Sequence, residues 1–125
     1  MSPDSNLPPS LAIAVMCAAW CRTCTEFRPI MDRLARAHPQ MRYTWIDIED
    51  DEELCGDLDI VDFPTLAVFR DGVPLHFGPS LPLEHVVGRL LDELATRDAS
   101  AAADWPAALL ALGAALRERA GDATG

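Results

Sequence analysis

Residues Leu11 to Phe27 read LAIAVMCAAWCRTCTEF, and this stretch decides the fold. An apolar run ends in small residues and a tryptophan, and Cys21 and Cys24 follow with two residues between them. Phe27, Ile30, Met31 and Leu34 then recur at helical spacing. An apolar run that feeds a C-x-x-C opening an amphipathic helix is a specific signal for a dithiol redox site. Cys21 falls at the helix N-terminus, where unpaired N–H groups and the helix dipole favour a thiolate. Cys24 lies one turn on, faces the same side and can close a disulfide with it. Cys21 therefore reads as the attacking thiol and Cys24 as the resolving thiol.

Outward from this stretch, Leu11–Cys17 has the continuous apolar character of a strand covered on both faces. The helix after Cys21 runs to about Ala37, where His38-Pro39 ends it, and Pro29 inside it is expected to kink it. Met41–Ile48, MRYTWIDI, alternates and is rich in β-formers, which predicts a second strand. Nine carboxylates and no basic residue lie from Asp47 through Asp62, and the acidic run Glu49 to Glu53 ahead of Leu54 suits the start of a short helix. The segment lacks the glycine-centred spacing of a calcium loop and reads as a solvated acidic face, with no metal site. Leu66–Arg70 and Val73–Phe77 flank Asp71-Gly72, a strong hairpin signal, and Gly78-Pro79-Ser80 is expected to break the chain. Leu83, Val86, Val87, Leu90, Leu91 and Leu94 give an amphipathic helix, with Pro82 suited to its first turn. After a small-residue connector at 97–103, Asp104 could cap a last helix carrying Trp105, Leu109, Leu112 and Leu116 along one stripe. The tail GDATG is expected to fray.

Composition narrows the function further. At 125 residues the chain makes one domain, and no run approaches the length of a membrane span. The net charge is −10 and every basic residue is arginine, so nucleic acid is a poor partner and lysine Schiff-base chemistry is excluded. His38, His76 and His85 lie well away from the cysteines in sequence, which argues weakly against a Cys–His hydrolase. Four cysteines are too few for a disulfide-rich secreted scaffold. The opening MSPDSNLPPS lacks a charged n-region, so the expected setting is cytoplasmic.

The order strand, CxxC-helix, strand, helix, strand, strand, helix resembles the thioredoxin family. Trp20-Cys21-Arg22-Thr23-Cys24, Phe63-Pro64-Thr65, the strand pair around Phe69-Arg70-Asp71-Gly72 and Pro29 carry the resemblance, which covers roughly residues 10–96. It implies an α/β thioredoxin fold with Pro64 as a cis-proline facing the dithiol. It also implies that Phe63 pairs with the substrate chain and that Trp20 shelters the reactive thiol and shapes a docking surface. The competing reading of Trp20 is a core residue packed away from that surface. The implied activity is thiol–disulfide exchange with protein thiols and disulfides. Its redox group is the Cys21–Cys24 disulfide with no bound cofactor, and its electrons come from a reductase or small thiols.

Four features depart from the family pattern. Arg22-Thr23 replaces the usual Gly-Pro, and the Arg22 guanidinium beside Cys21 favours a thiolate and a more oxidising pair. The family's buried acid and its lysine partner fall at Val15 and Tyr43, so efficient deprotonation of Cys24 has no obvious agent. The usual first strand and helix have no room before Leu11, which predicts a minimal four-stranded mixed sheet with Met41–Ile48 at an edge. The extra C-terminal helix would then cover a sheet face, or the edge would pair in a homodimer. Finally, Cys17 and Cys55 are additional, read as small buried hydrophobes or as a second redox pair. The expected organisation is an irregular lead-in at 1–9, a domain at 10–96 and a connector with its helix at 97–125. Two other functions compete with the oxidoreductase. One is a non-catalytic binding module that recognises extended segments beside Pro64. The other is a zinc or cluster site, because Cys17-x3-Cys21-x2-Cys24 matches the radical-SAM cysteine pattern in a chain too short for that barrel.

Overall fold

The computed structural model describes residues 11–18, 20–38, 41–56, 58, 60, 62–96 and 105–124. The lead-in at 1–9, the 97–103 connector and the Asp104 cap anticipated from sequence lie outside the described residues. Strand β1 (Leu11–Cys17) leads into helix α1 (Arg22–Ala37), and strand β2 (Met41–Asp47) and the short helix α2 (Glu52–Cys55) follow. Strands β3 (Thr65–Arg70) and β4 (Val73–Pro79) form a hairpin ahead of α3 (Glu84–Ala95) and α4 (Ala107–Thr124). The four strands make one sheet in the order β2-β1-β3-β4, with β1 parallel to β2 and antiparallel to β3. This is the thioredoxin fold predicted from sequence, a four-stranded mixed sheet with β2 at an edge.

Side-chain alternation along β1 divides the interior into two cores. Leu11, Ile13, Val15 and Cys17 pack with Cys24, Phe27, Met31 and Leu34 of α1 and with Val87, Leu91 and Leu94 of α3. The residues between them face the other way, where Ala14 and Met16 meet Ile46, Ala67 and Phe69, and α4 closes this face with Leu109, Leu112 and Leu116. On this face the small side chains of Ala14 and Ala67 stand among the larger Met16, Ile46 and Phe69. Ala14 and Ala67 are cross-strand partners. Gly113 sits over Phe69 and the β3–β4 turn, where an added Cβ would come within 2.5 Å of the Gly72 carbonyl oxygen and 2.7 Å of the Phe69 ring. The extra C-terminal helix thus covers a sheet face, the first of the two alternatives expected.

The turn at Asp71-Gly72 is a tight hairpin, with φ positive at both residues (53° and 82°), as a primed turn requires. Elsewhere the structure corrects details of the sequence reading. β4 continues through Gly78 to Pro79, which pairs with Thr65, against the break that Gly78-Pro79 predicts. Because β4 is an edge strand, a proline there leaves no ladder bond unmade on its outer side. Pro74 lies in the same strand, beside a register shift at Val68/Phe69, so the edge is blunted by two prolines and a bulge. Pro82 precedes the α3 cap residue Leu83 instead of entering the first turn. β2 ends at Asp47, one residue early, and α4 stays helical to Thr124, through most of the tail expected to fray. Pro29 lies within a helix that runs unbroken from Arg22 to Ala37. At the far end, Arg70 extends from β3 to donate hydrogen bonds to the last α3 carbonyls, Leu94 (3.2 Å) and Ala95 (2.7 Å). This satisfies acceptors that the helix leaves open.

Two outcomes follow from the second core. Each buried leucine of α4 is worth roughly 1.5–3 kcal/mol, a large share of a stability of about 5–15 kcal/mol. A chain cut after Arg97 is expected to lose its monodisperse elution in size exclusion, and unchanged solubility and elution would refute the covering role. Gly113→Ala gains about 1 kcal/mol of helix propensity but meets backbone at an impossible distance, and overpacking costs about 1–3 kcal/mol or more. Its urea midpoint should therefore fall.

Candidate active site

The site is built where three elements end. β1 stops at Cys17, and the Cys17 carbonyl accepts the Ile48 N–H at 2.9 Å, which ties the strand end to the β2 side. The chain then turns tightly, with the Cys21 N–H bonded to the Ala18 carbonyl at 3.0 Å. Cys21 is the cap residue of α1, in extended conformation, and its side chain makes no capping bond. The thiol is therefore free of the backbone at the end where orphan N–H groups and the dipole favour negative charge. Cys21 is half-buried and Cys24 is buried, as an attacking and a resolving thiol should be. Arg22 is exposed and Thr23 half-buried between them.

Cys17 belongs to this cluster, although its sequence context reads as plain core. Its alternation puts it on the α1 face, directly under the first turn of the helix. Cys17 and Cys24 share this buried cluster, and Cys21 packs against it. Burial pushes the Cys17 thiol far above its ordinary range, and its bond to Cys24 and the charges of Cys24, Cys21 and Asp47 add to the shift. Burial also raises Cys24, with the Cys21 contact adding, while hydrogen bonds from Cys17 and the Ala18 backbone oppose the rise. Asp47 is the β2 partner of Cys17 in the parallel register. Its carboxylate accepts the Glu49 N–H at 2.9 Å and so holds the start of the acidic turn. Signal for Cys17 existed in the sequence as the odd-numbered series Leu11, Ile13, Val15, Cys17, but only the strand-to-helix turn shows which thiol it meets.

Trp20 lies on the surface, 68% exposed, which overturns the competing core placement. Its indole N–H donates to Glu49 Oε1 at 2.8 Å, and its ring meets Phe63 edge-on with centroids 5.5 Å apart. Phe63, half-buried, precedes buried Pro64 through a cis peptide bond. The Pro64 carbonyl accepts the Ser80 N–H at 3.0 Å, so exposed Leu81 follows close by. Trp20, Phe63 and Pro64 are therefore brought together by the fold from sequence positions more than 40 residues apart.

The two departures at the buried acid and its partner resolve differently. Val15 is fully buried among the apolar residues of the α1 core. The Tyr43 hydroxyl donates to Asp32 on α1, and this bond is the main reason its own proton is held more tightly than usual, with burial second. Arg28 stacks over Trp45 at 5.1 Å from the ring centre. Among the described residues no group of three or more His, Cys, Asp and Glu side chains is arranged to hold a metal ion, and the Cys55 side chain lies outside the described residues.

Comparison with known proteins agrees with this architecture. The Thioredoxin family profile matches residues 8–82. A putative thioredoxin 2 of Streptomyces coelicolor is 34% identical over 76 residues, 58% of this chain and 57% of that protein. A thioredoxin of Staphylococcus saprophyticus is 25% identical over 93 residues, 70% of this chain and 89% of that one. The chain thus spans little more than half the length of the Streptomyces relative. Among solved structures, the thioredoxin of Fasciola hepatica superposes with a TM-score of 0.62 at 20% identity, covering 69% of this chain and 82% of that one. The Drosophila germline thioredoxin Deadhead gives a TM-score of 0.62 at 24% identity, covering 69% and 82%. Because that family profile matches more than half its length, the chain belongs to the thioredoxin family.

Proposed function

We propose that the chain is a thiol–disulfide oxidoreductase acting on protein disulfides. The observation that carries this reading is the stacking of a half-exposed Cys21 at the start of α1 over a buried Cys24, beside an exposed aromatic surface. Cys21 attacks a substrate disulfide and forms a mixed disulfide. Cys24 then displaces the substrate, leaving Cys21 and Cys24 joined and the substrate reduced by two electrons. The Phe63–Pro64 backbone, flanked by Trp20 and Leu81, is the docking surface for an extended substrate segment. Trp20 screens the thiols from one side, and Arg22 and Thr23 shape the approach to Cys21. A reductase or small thiols return the pair to the dithiol, with no bound cofactor. The low cysteine count supports a cytoplasmic setting over a secreted scaffold. Pairing of two chains along the β2 edge is a further proposal, read by size exclusion. No helix among the described residues is long and apolar enough to cross a membrane.

The exposed Trp20 and Leu81 beside Pro64 also suit a module that docks extended segments without turnover. Trapping separates the two readings. A Cys24→Ser variant should accumulate disulfide-linked partners that migrate freely after reduction, and Cys21→Ser should abolish them. A Cys21→Ser, Cys24→Ser variant that keeps the full cellular role would favour the docking module. The direction of electron flow is read from the potential of the Cys21–Cys24 pair in a glutathione series. Arg22 is expected to lift it above about −200 mV, and a value near −270 mV would mark a reductant instead.

A further inference from the structure

Docking beside the thiols is governed by charge as well as by aromatic area. Trp20 is exposed, and its indole N–H donates to one oxygen of the Glu49 carboxylate at 2.8 Å. The other Glu49 oxygen makes no hydrogen bond or ion pair among the described residues. Glu49 is also held through its backbone, since its N–H donates to Asp47 Oδ1 at 2.9 Å in the turn after β2. The Trp20 ring meets Phe63, and exposed Asp62 immediately precedes Phe63 in the chain. The Asp62 carbonyl accepts the Thr65 hydroxyl at 2.6 Å, which holds the backbone at Phe63-Pro64. Two carboxylates thus accompany the aromatic pair, Glu49 through the indole and Asp62 through the chain. Arg22, exposed in the first turn of α1, is the one opposing charge in the Trp20–Cys24 segment. The chain as a whole carries a net charge of −10, so its wider field has the sign of the carboxylates. The geometry points to Glu49, supported by Asp62, as a specificity-determining residue that turns the site toward disulfides flanked by lysine or arginine and away from acidic ones.

The inference rests on the oxidoreductase reading and names the substrates of that same site. A Glu49 side chain already held against the indole loses little further freedom on meeting a substrate cation. Complementary charge acts mainly on encounter, and salt screens it over about 8 Å at physiological ionic strength. The preference therefore belongs to the first chemical step and weakens as salt rises. In that step the Cys21 thiolate bonds to one sulfur of the disulfide, whose S–S bond breaks as the second sulfur leaves as a thiolate. Cys24 then bonds to Cys21 and releases the first sulfur as another thiolate. The dithiol gives up two electrons, and its protons pass to solvent.

The test uses the full chain carrying Cys55→Ser, reduced and mixed with an excess of one of three small disulfides of similar length. Cystamine carries two ammonium groups, bis(2-hydroxyethyl) disulfide is neutral, and 3,3′-dithiodipropionate carries two carboxylates. Acid quenching, alkylation and mass spectrometry count the thiols that remain. Each second-order rate is divided by that of 2-mercaptoethanol on the same disulfide, which removes differences between the leaving thiols. The normalised rate with cystamine is expected to exceed that with dithiodipropionate about tenfold at low salt and to come within about twofold at high salt. Glu49→Gln, which keeps an acceptor for the indole, and Asp62→Asn should each shrink the low-salt ratio by about twofold to threefold. A parent ratio near one, or one that favours dithiodipropionate, overturns the inference and leaves the oxidoreductase standing. So does a ratio that neither variant changes, or a slowing in Glu49→Gln shared equally by all three disulfides, the mark of a displaced Trp20. Absence of reaction with any of the three overturns the inference and the oxidoreductase reading together.

Discussion

The structure depends on one strand being buried on both faces. β1 has a neighbour on either edge and helices above and below, so each of its residues is committed to one core or the other. A one-residue slip would exchange the two sets, sending Met16 and the alanines toward α1 and the odd-numbered residues toward α4. The two layers differ in what they hold. α4 lies so close to the hairpin that a Cβ at Gly113 would meet Gly72 and Phe69, whereas Leu11, Ile13 and Val15 fill the layer under α1 and α3. Cys17 inherits its direction from this register, and with it its place beneath the reactive pair.

The same constraint explains how the chain forms its second face. The acidic segment and the short α2 contribute partly buried Ile48, Leu54, Leu58 and Ile60 to the α4 core, while Glu49, Asp50, Glu52 and Glu53 are exposed. Negative charge is concentrated at this end of the sheet, and Glu49 extends to the Trp20 indole. Trp20 is thereby held upright against Phe63 instead of collapsing onto the surface. The aromatic pair, an exposed Trp20 against a half-buried Phe63, is thus held by the ring contact on one side and by Glu49 on the other.

How much of this was legible in the sequence divides along local and non-local lines. β1, α1, the hairpin and α3 announce themselves through periodicity, the CxxC position and Asp71-Gly72, and they appear within a residue or two of the expected bounds. β4 runs past Gly78-Pro79 because a breaker's effect depends on whether the strand lies at an edge, which is a property of the whole sheet. Cys21 and Cys24 were expected from the CxxC spacing at a helix start, and Trp20, Phe63 and Pro64 from the family resemblance. The meeting of Trp20 with Phe63 is a matter of the fold, and the Trp20–Glu49 bond and the shared cluster of Cys17 and Cys24 cross a turn that no periodicity describes. Tyr43 illustrates the same limit. Its type marks a departure from the family, but its bond to Asp32 becomes visible only when α1 lies over β2.

Burial divides the two thiols of the CxxC. Cys21 is half-buried at the cap of α1, where the helix dipole favours a thiolate. Cys24 is buried, and burial opposes its ionisation, the more so with each apolar neighbour, Val15 included. A carboxylate at Val15 would relieve it by taking the proton, but would itself have to be desolvated at a cost. With Val15 in that place the layer around Cys24 stays apolar, and no carboxylate there bears a desolvation cost.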